Sequence, residues 1–486
     1  MFGSSPPPAI TFDVTASDDA SEIFLINGNF ELIGKGIGNA TFSAPAGLYK
    51  LKVRCGNTTV EKVIGVRDGM KSIILDPVQL VTPVPLTNSA TTNAAHEAAA
   101  AYAAYEPMHV NAGSGSGIVI VVRSSDSETT NPARGLKLLS MDGRTVADVE
   151  TQGRIGGDSG PAIVTLSIAV TPDAYRLSLT EADGRRIEQM IVASSGWQTQ
   201  VFMFAGRSGY ADLVNAAITI QKGFVPSDAN LRLEQIALAA FRDDRKILSE
   251  AMRAHIASAD APPMLALLGA LLLIREAKTS KEQTEDRGGT GERIDNRAAV
   301  ADIVANLREA FGPDSHPDVE AIAIGAGVPN PHYEFRSPPM FRASWRLLLK
   351  ASAADPKLIP SSSFAARIAT RLWGDGPWLL YLNPDDSTAT DAWRSGVIDL
   401  LANIDDVAPL AHTASVSTKI RALFTRRVRP AFPDPRHIVL QSSEQKAAPD
   451  IGRIRIQLDD AKRKLLVKRL GVPMSSIDAW LDEIRK

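Results

Sequence analysis

Tyr49-Lys50-Leu51-Lys52-Val53 and Tyr175-Arg176-Leu177-Ser178-Leu179 read as two versions of one strand. In the first, Tyr, Leu and Val fall on one face and the two lysines on the other, the period-2 pattern of a half-buried antiparallel strand. Working outward, the match continues in register. Val60-Glu61-Lys62-Val63-Ile64 returns as Ile187-Glu188-Gln189-Met190-Ile191, and Gly69-Met70-Lys71-Ser72 returns as Gly196-Trp197-Gln198-Thr199. Upstream, Ile10-Thr11-Phe12-Asp13-Val14 returns as Ile118-Val119-Ile120-Val121-Val122. Asn27-Gly28, a hairpin signal because both residues tolerate positive φ, returns as Asp142-Gly143.

The spacing predicts two tandem antiparallel β-sandwich modules followed by a large irregular α-helical region. The first module spans residues 1–82 and the second 118–206, with an insertion around Arg154–Pro161. A flexible Pro/Ala/Gly-Ser linker is expected over 83–117, its Ala-rich centre able to form a short helix. An α-helical domain is expected over 207–440, with an exposed polar loop at 278–296, and a basic helical module over 441–486. Helices are expected at about 245–258, 263–277, 296–311, 317–324, 341–353, 364–373, 390–404, 459–470 and 476–484, besides one around Leu231–Phe241 capped by Ser227. Both β modules resemble prealbumin-like sandwiches of the carboxypeptidase-regulatory type, in which a G-x-Y-x-L-x-V strand precedes a hairpin. The resemblance implies noncatalytic modules and supplies no site residues.

Composition narrows the setting. The 486 residues are 44% hydrophobic and 22% charged, with one cysteine, Cys55. That excludes a disulfide-stapled scaffold and a cysteine-built zinc site. The N-terminal stretch lacks the basic and apolar regions of a signal peptide, and the apolar run Met264–Ile274 is too short for a bilayer core of roughly 30 Å. The expectation is a cytoplasmic protein with no stable membrane span, the run forming a buried helix. Residues 419–486 hold 16 Lys/Arg and 8 Asp/Glu, against 37 and 47 in the rest of the 53 and 55. A basic tail on an acidic body suits an acidic partner or self-docking.

Several motifs invite chemistry. Gly157-Asp158-Ser159-Gly160-Pro161, with Ala94-Ala95-His96, resembles the nucleophile and histidine motifs of trypsin-like serine proteases. It lacks the second glycine before proline, and the interval between His96 and Ser159 is too short for two barrels. Gly113-Ser114-Gly115-Ser116-Gly117 leads into a strand, whereas a phosphate loop leads out of one into a helix. The seven histidines show no metal-ligand spacing. No catalytic residue, cofactor or metal is expected.

Partner binding is assigned instead to the stretch Phe335–Trp378, where aromatics and arginines alternate: Arg336, Phe341, Arg342, Trp345, Trp373 and Trp378. The same pattern also fits buried aromatics with arginines lying along helix faces. The expected function is a non-enzymatic protein-binding adaptor or regulated component of a bacterial multiprotein system, of the defence or signalling kind. A second reading is a substrate of a partner protease, cut in the 278–296 loop at Lys281, Asp286, Arg287 or Arg293. A third is a DNA-binding regulator. The segment from Leu465 resembles a helix-turn-helix, with Ser475 and Asp478 as a capping box and Lys462, Arg463, Lys468 and Arg469 as contacts. Acidic residues on its second helix oppose phosphate contact, so nucleic acid ranks last among the partners.

Overall fold

The computed structural model describes residues 8–110, 115–126, 129–156, 161–206, 209–287, 295–312, 316–383, 463–464, 467 and 472–478. The first repeat comprises β1 (Ala9–Thr15), β2 (Glu22–Ile26), β3 (Leu32–Ile37), β4 (Asn39–Pro45), β5 (Gly47–Cys55), β6 (Thr58–Val66) and β7 (Ser72–Ile74). They form a single sheet in the order β6-β5-β2-β3-β4-β1-β7. Its pairs are antiparallel except for β1 with β7, which run parallel, so the all-antiparallel expectation is corrected. On β5, Tyr49, Leu51 and Val53 are buried while the lysines between them are half-buried.

The Pro- and Ala-rich part of the expected linker is packed, while its residues 111–114 lie outside the described residues. Val84 and Leu86 are buried, and α1 (Ala94–Val110) lies on the second repeat's strands. Its small side chains permit the close approach. Ala100, Ala103 and Ala104 are buried, the Ser167 hydroxyl donates to the Ala103 carbonyl, and Gln198 Nε2 donates to that of Ala104.

The second repeat comprises β8 (Ser116–Ser124), β9 (Leu136–Ser140), β10 (Thr145–Asp148), α2 (Val149–Gln152), β11 (Arg154–Gly156), β12 (Ile163–Val170), β13 (Asp173–Thr180), β14 (Arg186–Ala193) and β15 (Gln198–Ala205). One sheet runs β10-β9-β13-β14 and the other β11-β12-β8-β15. Strand for strand this is the order of the first repeat, including a parallel first-to-last pair, β8 with β15. In the first repeat β3 and β4 meet through the single pair Ile37↔Asn39. In the second, α2 and β11 occupy that connection and the two sheets separate, which is the insertion expected from the sequence.

The repeat extends to turn chemistry. Gly69 and Gly196 both take positive φ, +83° and +75°. Each is the third residue of a turn closed by the same bond, Met70 N–H to Arg67 carbonyl and Trp197 N–H to Ser194 carbonyl, both 3.1 Å. The hairpin alignment shifts, however. Positive φ falls at Phe30 in one repeat and Gly143 in the other, and Asn27 corresponds to Ser140, not to Asp142. Asn27 Oδ1 accepts from the Asn29 and Glu31 amides, so it nucleates the turn through its side chain.

Beyond β16 (Ala217–Gln221) come α3 (Ala229–Arg242), α4 (Glu250–Ala257), α5 (Pro263–Arg287), α6 (Arg297–Phe311), α7 (Pro317–Ala326), α8 (Arg342–Ser352) and α9 (Phe364–Ile368). Asp228, not Ser227, caps α3. Helix α5 touches α3, α4, α6, α7 and β16. Its run Met264–Leu273 is apolar on every side because every side is covered. Among the described residues no helix is long and apolar enough to cross a membrane. The expected loop at 278–296 is in part helix, since α5 continues to Arg287. Lys, Glu, Gln and Arg are good helix formers, so the lack of apolar residues did not end the helix.

The expected all-α region also returns to the β half. β16 pairs antiparallel with β15. After the short β17 (Leu372–Trp373), β18 (Leu380–Leu382) lies beside β14. Trp373 is thus in a strand, not at the end of a helix. The chain divides into two compact units, one of Met1–Tyr333, Ser337–Leu348 and Trp373–Tyr381, the other of Glu334–Arg336, Leu349–Leu372 and Leu382–Lys486. Within the second, the Phe335 amide donates to the Leu358 carbonyl and the Ala365 amide to that of Arg336. The Ser475 hydroxyl donates to the Ile359 carbonyl instead of capping a helix.

Candidate protein-binding surface

The aromatic–arginine stretch does not form an open surface. Phe341, Trp345 and Trp378 are at most 1% exposed. Phe341 stacks on Trp378 at 4.7 Å and meets Phe241 edge-on at 6.1 Å, and Trp378 Nε1 donates to the Ala216 carbonyl at 2.7 Å. Arg342 donates to the Trp373 carbonyl at 2.6 Å, and burial lowers its pKa. Trp373 is half-buried under Arg185, while Arg336 is exposed beside Glu334. Phe341, Trp345 and Trp378 are core. Lys281, Asp286 and Arg287 lie on α5, and Arg293 lies outside the described residues. Lys462, Lys468 and Arg469 also lie outside them, and Arg463 pairs with Asp478 at 3.2 Å.

The protease-like pair fares similarly. Ser159 is outside the described residues. His96 Nδ1 lies 3.2 Å from Arg123, and its ring also hydrogen-bonds the Pro161 backbone. Burial first, and the Arg123 charge second, lower its pKa against that bond. A cation stands where a triad needs a carboxylate. A cleft of about 450 Å³ between β16 and the helices is lined by Trp197, Lys222, Asp228, Asn230 and Asn306 among others. Four of its polar groups are engaged: Lys222 sits over the Trp197 ring, Asp228 caps α3, Asn230 meets His255, and Asn306 donates to the Ala257 carbonyl.

A surface that sequence reasoning missed lies on the first repeat. Ladder pairing sets Leu32, Ile26, Lys50 and Val63 in one row across β3, β2, β5 and β6. Leu48 stands beside the row on β5, opposite Gly65. Leu48, Val63, Phe30 and Leu32 are 72%, 69%, 80% and 56% exposed. Lys50 crosses this patch, its Nζ 2.9 Å from Glu61 and 5.6 Å from the Phe30 ring centroid. At the other end of the same strands the face is occupied. Arg54 is bidentate to Glu22, and Arg245, just beyond α3, donates to both Glu22 and the Gly56 carbonyl.

The second repeat carries the same row in the same register, since Tyr49 pairs with Ile64 as Tyr175 pairs with Ile191. Lys50–Glu61 corresponds to Arg176–Glu188, an ion pair at 3.4 Å whose side chains are 5% and 0% exposed. Leu48 and Val63 correspond to Ala174 and Met190, both buried. Tyr381, on β18 next to β14, is buried and feels the charges of that pair. Burial raises its pKa well above the ordinary value, the Glu188 charge adding to this and Arg176 opposing it. One copy of the surface is covered and the other is open.

Pattern alone could have exposed this contrast, because alternation at Leu48 and Val63 puts apolar residues on the face that Lys50 and Lys52 mark as outward. Among the described residues no group of three or more His, Cys, Asp or Glu is placed to hold a metal ion. No protein-family model matches the chain, and no curated protein matches it. Two solved structures show slight similarity. One is a leucine-rich repeat protein from Bacteroides thetaiotaomicron, at 10% identity over 38% of this chain and 24% of that one, with a TM-score of 0.10. The other is Salmonella alpha-2-macroglobulin reacted with methylamine, at 11% identity over 45% and 18%, with a TM-score of 0.09. The chain thus spans a quarter or less of either, and neither likeness carries an argument.

Proposed function

We propose that this chain is a non-enzymatic protein-binding adaptor, a component of a multiprotein assembly, whose two β repeats are prealbumin-like sandwiches used as binding frames. The observation that supports it is the open row on the first repeat, set against its buried counterpart on the second. Four large apolar side chains exposed around one lysine mark an interaction site rather than scattered surface residues. Apolar side chains edged by charged ones, here Glu61 and Lys52, with Lys50 lying across them, suit a protein interface.

The test is comparative capture from the native host. Wild-type chain and the double variant Leu48→Glu/Val63→Glu are immobilised, with a charge reversal at exposed Asp375 as control. Partners retained by the first and last and lost by the double variant are expected. An identical set on all three removes this surface from the reading.

A further inference from the structure

We propose that β6 of the first repeat accepts an added β-strand from a partner protein, an extended segment with an aromatic residue flanked by apolar ones. The inference rests on the adaptor reading and specifies how its surface is used. Both repeats end their hairpin sheet on an equivalent strand, β6 in one and β14 in the other. β14 is not an edge, because β18, Leu380-Tyr381-Leu382, lies against it. Every residue of β14 after Arg186 is buried. Among the described residues β6 has no strand beyond it in its sheet, and its residues Thr59 to Val63 are exposed. A nine-residue edge carrying three valines and no proline is a template for strand pairing.

The chemistry of the occupant follows from the one already present. On the strand next to β14, Tyr381 feels the charges of the Arg176–Glu188 pair of the outer face, and alternation turns Leu380 to the opposite, inner face. On β6 the matching outer feature is the Lys50–Glu61 pair, ready for an aromatic side chain. The matching inner feature is Val60, which pairs with buried Val53 yet is 47% exposed. An apolar side chain arriving beside Val60 would complete that face. A second copy of this chain fits less well. Pairing β6 with itself about its central residue sets Lys62 opposite Lys62, a like-charge contact.

The ladder also says which amides would receive the strand. Cys55 pairs with Thr58 across the two-residue turn Gly56-Asn57, which makes that pair hydrogen-bonded. Counting in twos, Val60, Lys62 and Ile64 bond to β5, and the N–H groups of Thr59, Glu61 and Val63 face the open side. Val63→Pro therefore removes an outward donor while leaving the hairpin ladder intact.

The probe is a synthetic peptide of the sequence Pro377–Asn383, titrated into the full chain, with amide hydrogen exchange read in parallel. Binding with protection of Thr59, Glu61 and Val63 is expected. Val63→Pro should weaken binding by about tenfold or more, the loss of one strand bond and its fit, and Val63→Ala should not. Wild-type protection at Thr59 and Glu61 is the readout should the proline variant fail to fold. Peptide that does not bind, or that protects no β6 amide, overturns strand addition. So does protection of β6 that rises with protein concentration in the absence of peptide, which makes a second copy the occupant. If Val63→Pro leaves binding intact while Leu48→Glu abolishes it, strand addition falls and the adaptor reading stands.

Discussion

The Tyr49 hydroxyl donates to the Pro45 carbonyl at 3.0 Å, four residues upstream. The Tyr175 hydroxyl does the same to Thr171 at 2.8 Å and also lies 3.1 Å from the Thr171 hydroxyl. Both rings are buried where the chain turns from β4 into β5, or from β12 into β13. This bond pins the corner that starts the hairpin, which explains why the tyrosine returns when so much else changes. Tyr49→Phe is expected to cost about 1 kcal/mol and Tyr175→Phe somewhat more, since a second polar contact goes with it. Urea unfolding measures both, and an unchanged midpoint in either variant would refute the role.

Arg123 is the anchor that turns a linker into structure. It donates to the carbonyls of Thr82, Pro83 and Thr91 at 2.9, 3.1 and 2.7 Å, and its guanidinium lies 4.9 Å from the Phe204 ring. Burial lowers its pKa to about 10, so it stays charged at neutral pH. Arg123→Met keeps the apolar contacts but leaves the Pro83 and Thr91 carbonyls without a donor and the Thr82 carbonyl with only the Thr91 hydroxyl, a loss of about 3 kcal/mol. Hydrogen exchange across residues 82–92 should quicken more than in β5. Uniform exchange throughout the chain would instead assign Arg123 a purely global part.

Much of the frame could be read from the residues. Local features did it: the Tyr-x-Leu-x-Val alternation, the turn glycines at 69 and 196, and Pro317 after His316 at the start of α7. What could not be read depends on distant contacts. Nothing near Pro83 announces Arg123, forty residues on. Nothing in Leu380-Tyr381-Leu382 says which strand it joins. Phe341, Trp345 and Trp378 beside arginines suit a core or an interface equally, and only burial decides. The open surface was hidden differently, because Leu48 and Val63 look ordinary until their buried counterparts Ala174 and Met190 are placed beside them.

Gly269 interrupts the apolar run of α5 for a steric reason. A Cβ there would lie 2.6 Å from Ile256 Cδ1 and 3.0 Å from its Cβ, on α4. Gly269→Ala gains up to about 1 kcal/mol of helix propensity and loses about 1–3 kcal/mol to overpacking, so a net loss is expected. Ile256→Ala opens that space, and the double variant should lose less than the two single losses together. Strict additivity in thermal unfolding would show that α4 and α5 are not in steric conflict there.

Asp318 and His316 make opposite demands on pH. Burial raises the Asp318 carboxyl from 3.8 to about 6, opposed by hydrogen bonds from Ser344 and from the Met340 and Phe341 amides. Burial lowers His316 from 6.5 to about 3. From about pH 3 to 6.5 the unfolded chain holds a proton on His316 that the folded chain lacks, so this residue makes stability rise with pH. From 3.8 to about 6 the folded chain holds a proton on Asp318 that the unfolded chain lacks, so this one makes stability fall with pH. The two slopes oppose, and the pair's contribution is close to flat across that shared window. Asp318→Asn leaves the histidine unopposed, and stability should drop steadily as pH falls from 6.5. His316→Gln leaves the carboxyl unopposed, so stability should be highest near the acid end of the window and decline by about 3 kcal/mol as pH rises through about 6. Urea midpoints of the three proteins across the window decide it. Curves that stay parallel would mean that neither group changes its protonation on folding.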